Sequence, residues 1–187
     1  QSFQIGWQAF NLAERYQTPV LVMSDHYLAV GYRTIEADAL GFDQVTLDRG
    51  EMLSQEALDE LQEPYRRYRI TESGVSPRAL PGHPNAIWVS SSNEHYQDGA
   101  ITEDAETRVA QVDKRQRKLV GMAQDVPQPT PYGPQEASVT LLGWGSTYGP
   151  LREAVDRLNA EQANSARMLH FSGLHPFPTQ AVQDMLG

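Results

Sequence analysis

Val139-Thr140-Leu141-Leu142-Gly143-Trp144-Gly145-Ser146-Thr147-Tyr148-Gly149-Pro150-Leu151 is the stretch that decides the fold. An apolar run of strand length passes through a glycine-rich turn into Pro150, a residue suited to the first turn of a helix. Leu151, Ala154, Val155 and Leu158 then recur on one helical face. Met168-Leu169-His170-Phe171 reads as a second strand. A strand, a helix and a second strand imply a right-handed parallel crossover, so the expected class is α/β. Thr179 reads as the cap of a last helix carrying Val182, Met185 and Leu186.

Upstream the rhythm changes. Residues 1–17 read as a helix, with Phe3, Trp7, Phe10 and Ala13 on one face and Pro19 as its stop. Val20-Leu21-Val22-Met23 then reads as a strand buried on both faces of a parallel sheet, leading into Ser24-Asp25. Residues 26–100 are expected to be mostly irregular, apart from a short helix over 54–63 capped by Ser54 and an isolated strand at Ile87-Trp88-Val89. A stretch this long without regular structure suits a connector lying across a partner surface. A helix is predicted over 102–120, with Thr102 as cap and Ala105, Val109, Val112, Gln116 and Leu119 as its packing stripe. Pro127, Pro129, Pro131 and Pro134 read as a stiff linker.

Composition sets limits. The chain has 187 residues, 40% of them hydrophobic, and a formal net charge of −9. That charge argues against a nucleic-acid or anionic-membrane surface. The basic clusters Arg66-Arg67-Tyr68-Arg69 and Lys114-Arg115-Gln116-Arg117-Lys118 read as a solvated face or as intersubunit salt bridges. There is no cysteine, so the chain can neither ligate an iron–sulfur cluster nor supply a thiolate, and a reducing, cytoplasmic compartment is expected. No signal-peptide pattern precedes the first helix, and no window approaches roughly 18 consecutive apolar residues. The chain opens inside a helical pattern and closes at Asp184-Met185-Leu186-Gly187, a turn into another one. Both ends read as cut, and a segment of a longer polypeptide is expected.

The chemistry legible in the residues is sparse. The Gly143–Gly149 loop sits where a phosphate is cradled in other α/β proteins, but its spacing is neither G-x-G-x-x-G nor G-x-x-x-x-G-K-[ST], and Pro150 removes one N–H. A tight structural turn is the expectation; a nucleotide-binding, Rossmann-type oxidoreductase is the alternative. Asn93-Glu94-His95-Tyr96-Gln97-Asp98-Gly99 places an imidazole between two acids, which makes Glu94, His95 and Asp98 the candidate site residues. Their spacing matches neither zinc nor calcium signatures. His26, His83, His170 and His175 are isolated in sequence. Ser90, Ser91 and Ser92 lack the context of a hydrolase nucleophile.

Phe10 to Val20 closing on Ser24-Asp25, then Tyr68 to Gly82, the Asn93-Glu94-His95 turn, Ile101-Thr102-Glu103-Asp104-Ala105-Glu106 through Lys114-Arg115, and finally Leu142 to Ser146 with Pro176-Phe177-Pro178, follow one another in a familiar order. Together they resemble the alpha subunit of 2-oxoacid:ferredoxin oxidoreductases, in its 2-oxoglutarate-type branch. The resemblance implies that residues 1–30 end a thiamine-diphosphate pyrimidine-type domain. Residues 31–135 would be an extended connector, and 136–187 the start of a transketolase-C-terminal-like α/β domain. It also implies thiamine diphosphate, Mg²⁺ and a 4Fe-4S cluster in the assembled enzyme, none held by this chain, with coenzyme A as co-substrate. The implied partners are the beta subunit, in a dimer of heterodimers, and ferredoxin. This segment alone is expected to be inactive, with no catalytic residue of its own. A non-catalytic transketolase-C-like assembly module is the other reading. The family often carries Asp-Glu after the histidine of the turn, where this chain has Tyr96-Gln97.

Overall fold

Six α-helices and three β-strands form among the described residues of the computed structural model, which describes residues 2–90 and 92–187. In chain order they are α1 (Ser2–Tyr16), α2 (His26–Val30), α3 (Gln55–Asp59), α4 (Ala105–Asp125), β1 (Thr130–Tyr132), β2 (Val139–Trp144), α5 (Tyr148–Glu161), β3 (Ala166–Phe171) and α6 (Thr179–Leu186). The fold class is α/β, as the strand–helix–strand pattern predicts. The chain divides into two units, one made of Gln1–Val20 and Gln44–Met122, the other of Leu21–Asp43 and Ala123–Gly187.

The second unit is built on a sheet of order β1-β3-β2. β2 and β3 run parallel from Val139 opposite Ala166 to Trp144 opposite Phe171, and α5 makes the crossover. Val155 of α5 packs on Ala166 and Met168, with Tyr132, Leu141 and Leu151 around them. Central β3 is buried on both faces, which is why it reads as a nearly continuous apolar run. The proline-rich linker holds a strand the sequence did not announce. Thr130–Tyr132 pairs antiparallel with β3, Pro131 opposite Leu169. Proline cannot donate to a ladder, and an edge position tolerates that. α5 begins at Tyr148, ahead of Pro150, which lies in its first turn where a missing N–H costs little. α6 follows Pro178, so Thr179 is its first residue rather than its cap.

The first unit is held differently. Leu58 of α3 is fully buried against Tyr65 and Ala86, with Leu53, Leu61 and Ala79 alongside. Ser54 caps α3 as read, accepting from the Ala57 amide at 3.2 Å, but the helix ends at Asp59, well before Pro64. Around this small core the chain is tied by polar contacts. Tyr65 Oη donates to the Pro77 carbonyl (3.2 Å), Ser76 Oγ to the Arg69 carbonyl (2.9 Å) and Asn11 Nδ2 to the Thr46 carbonyl (2.7 Å). Arg78 reaches both Glu14 (2.6 Å) and the Arg49 carbonyl (2.7 Å). Residues 44–100 are low in regular structure, as expected, yet they are ordered by α1, α4 and a core of their own.

Three further expectations fail for physical reasons. Val20-Leu21-Val22-Met23 forms no strand, and Leu21 and Met23 are each 85% exposed; a doubly buried parallel strand requires neighbours, and none pairs with it among the described residues. Ile87-Trp88-Val89 is irregular for the same reason. α4 starts at Ala105, not near Thr102, because Asp104 accepts from the Thr107 amide at 2.7 Å while Thr102 Oγ1 turns to the Asp104 amide. Its buried face is Gln111, Lys114 and Met122, whereas Val109 of the apolar stripe is exposed. The surface facing α4 is polar backbone, so hydrogen-bonding residues fill the interface.

Candidate functional site

The Glu94–Thr102 segment folds into a tight reversal. His95 and Ile101 form an isolated antiparallel bridge. Tyr96 N donates to the Ala100 carbonyl (2.8 Å) and Thr102 N to the Glu94 carbonyl (3.0 Å). Gly99 sits at φ +105°, and a Cβ there would lie 2.1 Å from the Val89 carbonyl oxygen. Only glycine fits that corner. Gln97 fastens the reversal to the neighbouring segment: its carbonyl accepts from Tyr68 N (2.9 Å) and its side-chain Oε1 from Ile70 N (3.0 Å).

The three candidate residues take different places on this reversal. Glu94 is buried and receives both guanidinium nitrogens of Arg115, at 3.1 and 2.7 Å. That paired hydrogen bond holds its carboxyl below the usual range against the opposing effect of burial. Glu94 is therefore a fixed anion at neutral pH, not a proton donor. His95 is buried too, stacked on the Tyr68 ring at 4.5 Å between centroids. Its Nε2 lies 3.2 Å from Ser90 Oγ, which in turn lies 2.5 Å from Tyr68 Oη. A phenol, a hydroxyl and an imidazole thus form a continuous hydrogen-bonded chain. Asp98 is exposed at the tip, one carboxylate oxygen accepting from Ala100 N at 2.9 Å. Ser91 lies outside the described residues.

Tyr68, Ser90 and Arg115 are the members sequence spacing missed. Arg115 and Tyr68 sit inside the two basic clusters, whose charge pattern looks like solvated surface. The structure corrects that reading in part: Arg66 and Arg69 are exposed, but Arg115 binds Glu94 and Lys114 is buried. Arg67 lies 5.5 and 5.6 Å over the Tyr68 and Trp88 rings.

The glycine-rich loop of the second unit is closed by its own side chains. A Cβ on Gly143 would meet Leu151 Cδ1 at 2.2 Å and Thr147 Oγ1 at 2.7 Å, so β2 and α5 touch directly there. Thr147 Oγ1 donates to the Trp144 carbonyl (2.6 Å), and His170 Nε2 to the Gly145 carbonyl (2.9 Å). His170, isolated in sequence, is thus a packing residue, edge-on to Tyr148. Among the described residues no cluster of three or more His, Cys, Asp and Glu side chains is placed to hold a metal ion. None of their helices is long and apolar enough to cross a membrane.

No family model matches the chain. A 2-oxoacid:ferredoxin oxidoreductase alpha subunit of Aeropyrum pernix is 36% identical over the whole chain, which spans 28% of that protein. The 2-oxoglutarate oxidoreductase subunit KorA of Mycobacterium tuberculosis is 30% identical over 94% of the chain and 26% of its own length. The solved 2-oxoglutarate:ferredoxin oxidoreductase of Magnetococcus marinus, with 2-oxoglutarate, coenzyme A and succinyl-CoA bound, superposes with a TM-score of 0.74 at 30% identity. The match covers 94% of this chain and 29% of that one. Fold and relatives together match the chain to one segment of α/β oxidoreductase subunits. More particularly, the chain is homologous over its whole length to one part of the 2-oxoacid:ferredoxin oxidoreductase alpha subunits, as its sequence resemblance implied.

Proposed function

We propose that this chain is part of the alpha subunit of a thiamine-diphosphate-dependent 2-oxoacid:ferredoxin oxidoreductase, with 2-oxoglutarate as the substrate. The enzyme would convert the 2-oxoacid and coenzyme A to an acyl-CoA, CO2 and reduced ferredoxin. The observation that carries this reading is the in-order similarity over the full chain to relatives of that name, together with a solved neighbour that has 2-oxoglutarate, coenzyme A and succinyl-CoA bound.

The residues present do not fit the enzyme's resident cofactors. A chain without cysteine offers no ligand to an iron–sulfur cluster, and no metal-ligating cluster exists among the described residues. Those groups belong on this reading to the remainder of the assembly, the beta subunit foremost, in a dimer of heterodimers that passes electrons to ferredoxin. This segment's own contribution is assembly surface and pocket lining. Leu21, Met23, Tyr27 and Tyr32 are each more than 80% exposed, an apolar surface that suits burial against another chain. The Glu94–Gly99 reversal offers the lining: Glu94, fixed by Arg115, holds its shape, while His95 and Asp98 carry the polarity that faces substrate.

The test is to isolate the native protein carrying this chain with its co-purifying subunits. Ferredoxin reduction dependent on coenzyme A is then measured with 2-oxoglutarate and with pyruvate. Faster reduction with 2-oxoglutarate supports the proposal. Absence of reduction with every 2-oxoacid tried, by a preparation that contains iron and thiamine, sinks it. Preference for pyruvate removes the substrate assignment alone.

A further inference from the structure

Five cations cluster on and beside α4 in the first unit. Arg67, Arg115, Arg117 and Lys118 each act electrostatically on Lys114. Among the described residues only one carboxylate bonds to any of the five, and that is Glu94, already taken by Arg115. The others make do with neutral acceptors. Arg117 donates to the Thr71 carbonyl (2.9 Å), Lys118 Nζ to the Gln17 carbonyl (3.2 Å) and Arg67 to Gln17 Oε1 (2.8 Å). Lys114 is only 4% exposed and makes no hydrogen bond or ion pair among the described residues; its ammonium keeps a narrow opening to solvent, since Arg78 Nε is the fully buried side-chain atom without a partner among them.

The backbone beside this cluster is fixed. Gly74, at φ +81°, presses its loop so close to α4 that a Cβ would stand 2.3 Å from the Lys114 carbonyl oxygen and 3.0 Å from Lys118 N. The Tyr68 and Trp88 rings orient the Arg67 guanidinium. Buried charges in proteins are normally paired, because an ammonium taken from water without a counter-charge is strongly destabilising. Here burial, then repulsion from neighbouring cations, pulls both Lys114 and Lys118 down to about 8. The site is short of negative charge.

We propose that Arg67, Lys114 and Lys118 form a binding site for a phosphate-bearing anion. The excess of cations over carboxylates is larger than one carboxylate neutralises. A phosphate brings nearly two charges and several acceptor oxygens, enough for two ammonium groups and one planar fork. Lys114 and Lys118 are a turn apart on α4 and point along one face. Gln17 holds Arg67 and Lys118 on a shared side chain and carbonyl. The site stands independently of the 2-oxoacid reading.

Calorimetric titration of pyrophosphate and, separately, of ADP into the intact protein carrying this chain, at low salt, tests the assignment. Saturable binding of either supports it. Tighter pyrophosphate identifies a free ion as the occupant, and tighter ADP identifies a nucleotide. Lys114→Met is expected to weaken binding by about tenfold or more. Raising the pH from 7 to 9 does the same, since each lysine must be protonated to bind and loses about tenfold per pH unit above its own value. Arg115, raised by Glu94, and Glu94, lowered by Arg115, keep their charge across that range. Thermal melts guard against a folding artefact. Lys114→Met should melt at or above the parent temperature without anion and lose the anion-induced rise. No saturable binding, unchanged binding in Lys114→Met, or a carboxylate of another chain seated on Lys114 in the assembled protein overturns the proposal.

Discussion

The two units solve the same problem with different chemistry. The sheet unit buries Val155, Ala166, Met168 and Leu169 almost completely, so its stability rests on apolar area removed from water. In the other unit Leu58, Tyr65 and Ala86 form a small core cluster with their partly buried neighbours. That unit holds its irregular segments through side chains bonded to distant backbone: Gln17 to Ser76, Gln111 to Tyr68, Arg117 to Thr71. Apolar packing tolerates exchange among residues of similar volume. Polar cross-links tolerate less, because each lost partner leaves a buried group unsatisfied.

This contrast can be broken or sharpened by mutation. The largest effect is expected in the sheet unit: Met168→Ala should cost about 2–5 kcal/mol, read from chemical denaturation. An equal loss from Gln111→Ala would erase the distinction between the units. Next, Gly99→Ala drives a Cβ into the Val89 carbonyl at a backbone angle that side chains rarely adopt. It should cost roughly 1–3 kcal/mol and shift the His95 ring resonances in a proton NMR spectrum. Gly82→Ala, with open space around it, should cost less.

The pH dependence separates the units more finely. Lys114 and Lys118 are lowered from 10.5 to about 8 when folded. The unfolded chain therefore binds more protons between those values, and stability rises with pH across that window. Melting curves between pH 7 and 10.5 should show the rise, and Lys114→Met should flatten it. Glu94 behaves oppositely in sign. Its folded value is depressed below 4.5 by Arg115, so its contribution is complete above 4.5 and lost as pH falls through the folded value. Glu94→Gln should therefore destabilise the protein at neutral pH and match the parent in strong acid. The smallest expected effect is Ser54→Ala, which removes one exposed cap and should cost about 0.5–1 kcal/mol.

Legibility in the sequence follows the same division. The crossover, α5 and both parallel strands were readable because apolar residues run to strand length in β2 and β3 and recur on one face of α5. α1 and the Ser54 cap were readable from local punctuation. The face of α4 was not, since Gln111 and Lys114 are buried by partners no periodicity names. β1 was hidden by Pro131, which reads as linker until an edge position is known to be free. Val20–Met23 shows the limit from the other side: a strand pattern is only a willingness to pair. At the candidate site, Glu94 and His95 were legible as neighbours in sequence. Arg115, Tyr68 and Ser90 were not, because the turn brings them in from 21, 27 and 5 residues away.

Gly99 has a consequence for how this reversal can change over time. Its corner admits no side chain, and the hydrogen bonds that define the reversal run through backbone at Glu94, Tyr96, Ala100 and Thr102. Tyr96 and Asp98 project outward from that frame and are exposed. Shape and charge are therefore inherited separately. A lineage can exchange an acid for an aromatic at the tip, altering what the turn greets, without renegotiating the geometry that places it. In a saturation library, position 99 should stay glycine while positions 96 and 98 drift, and that drift is where a new ligand preference would first be written.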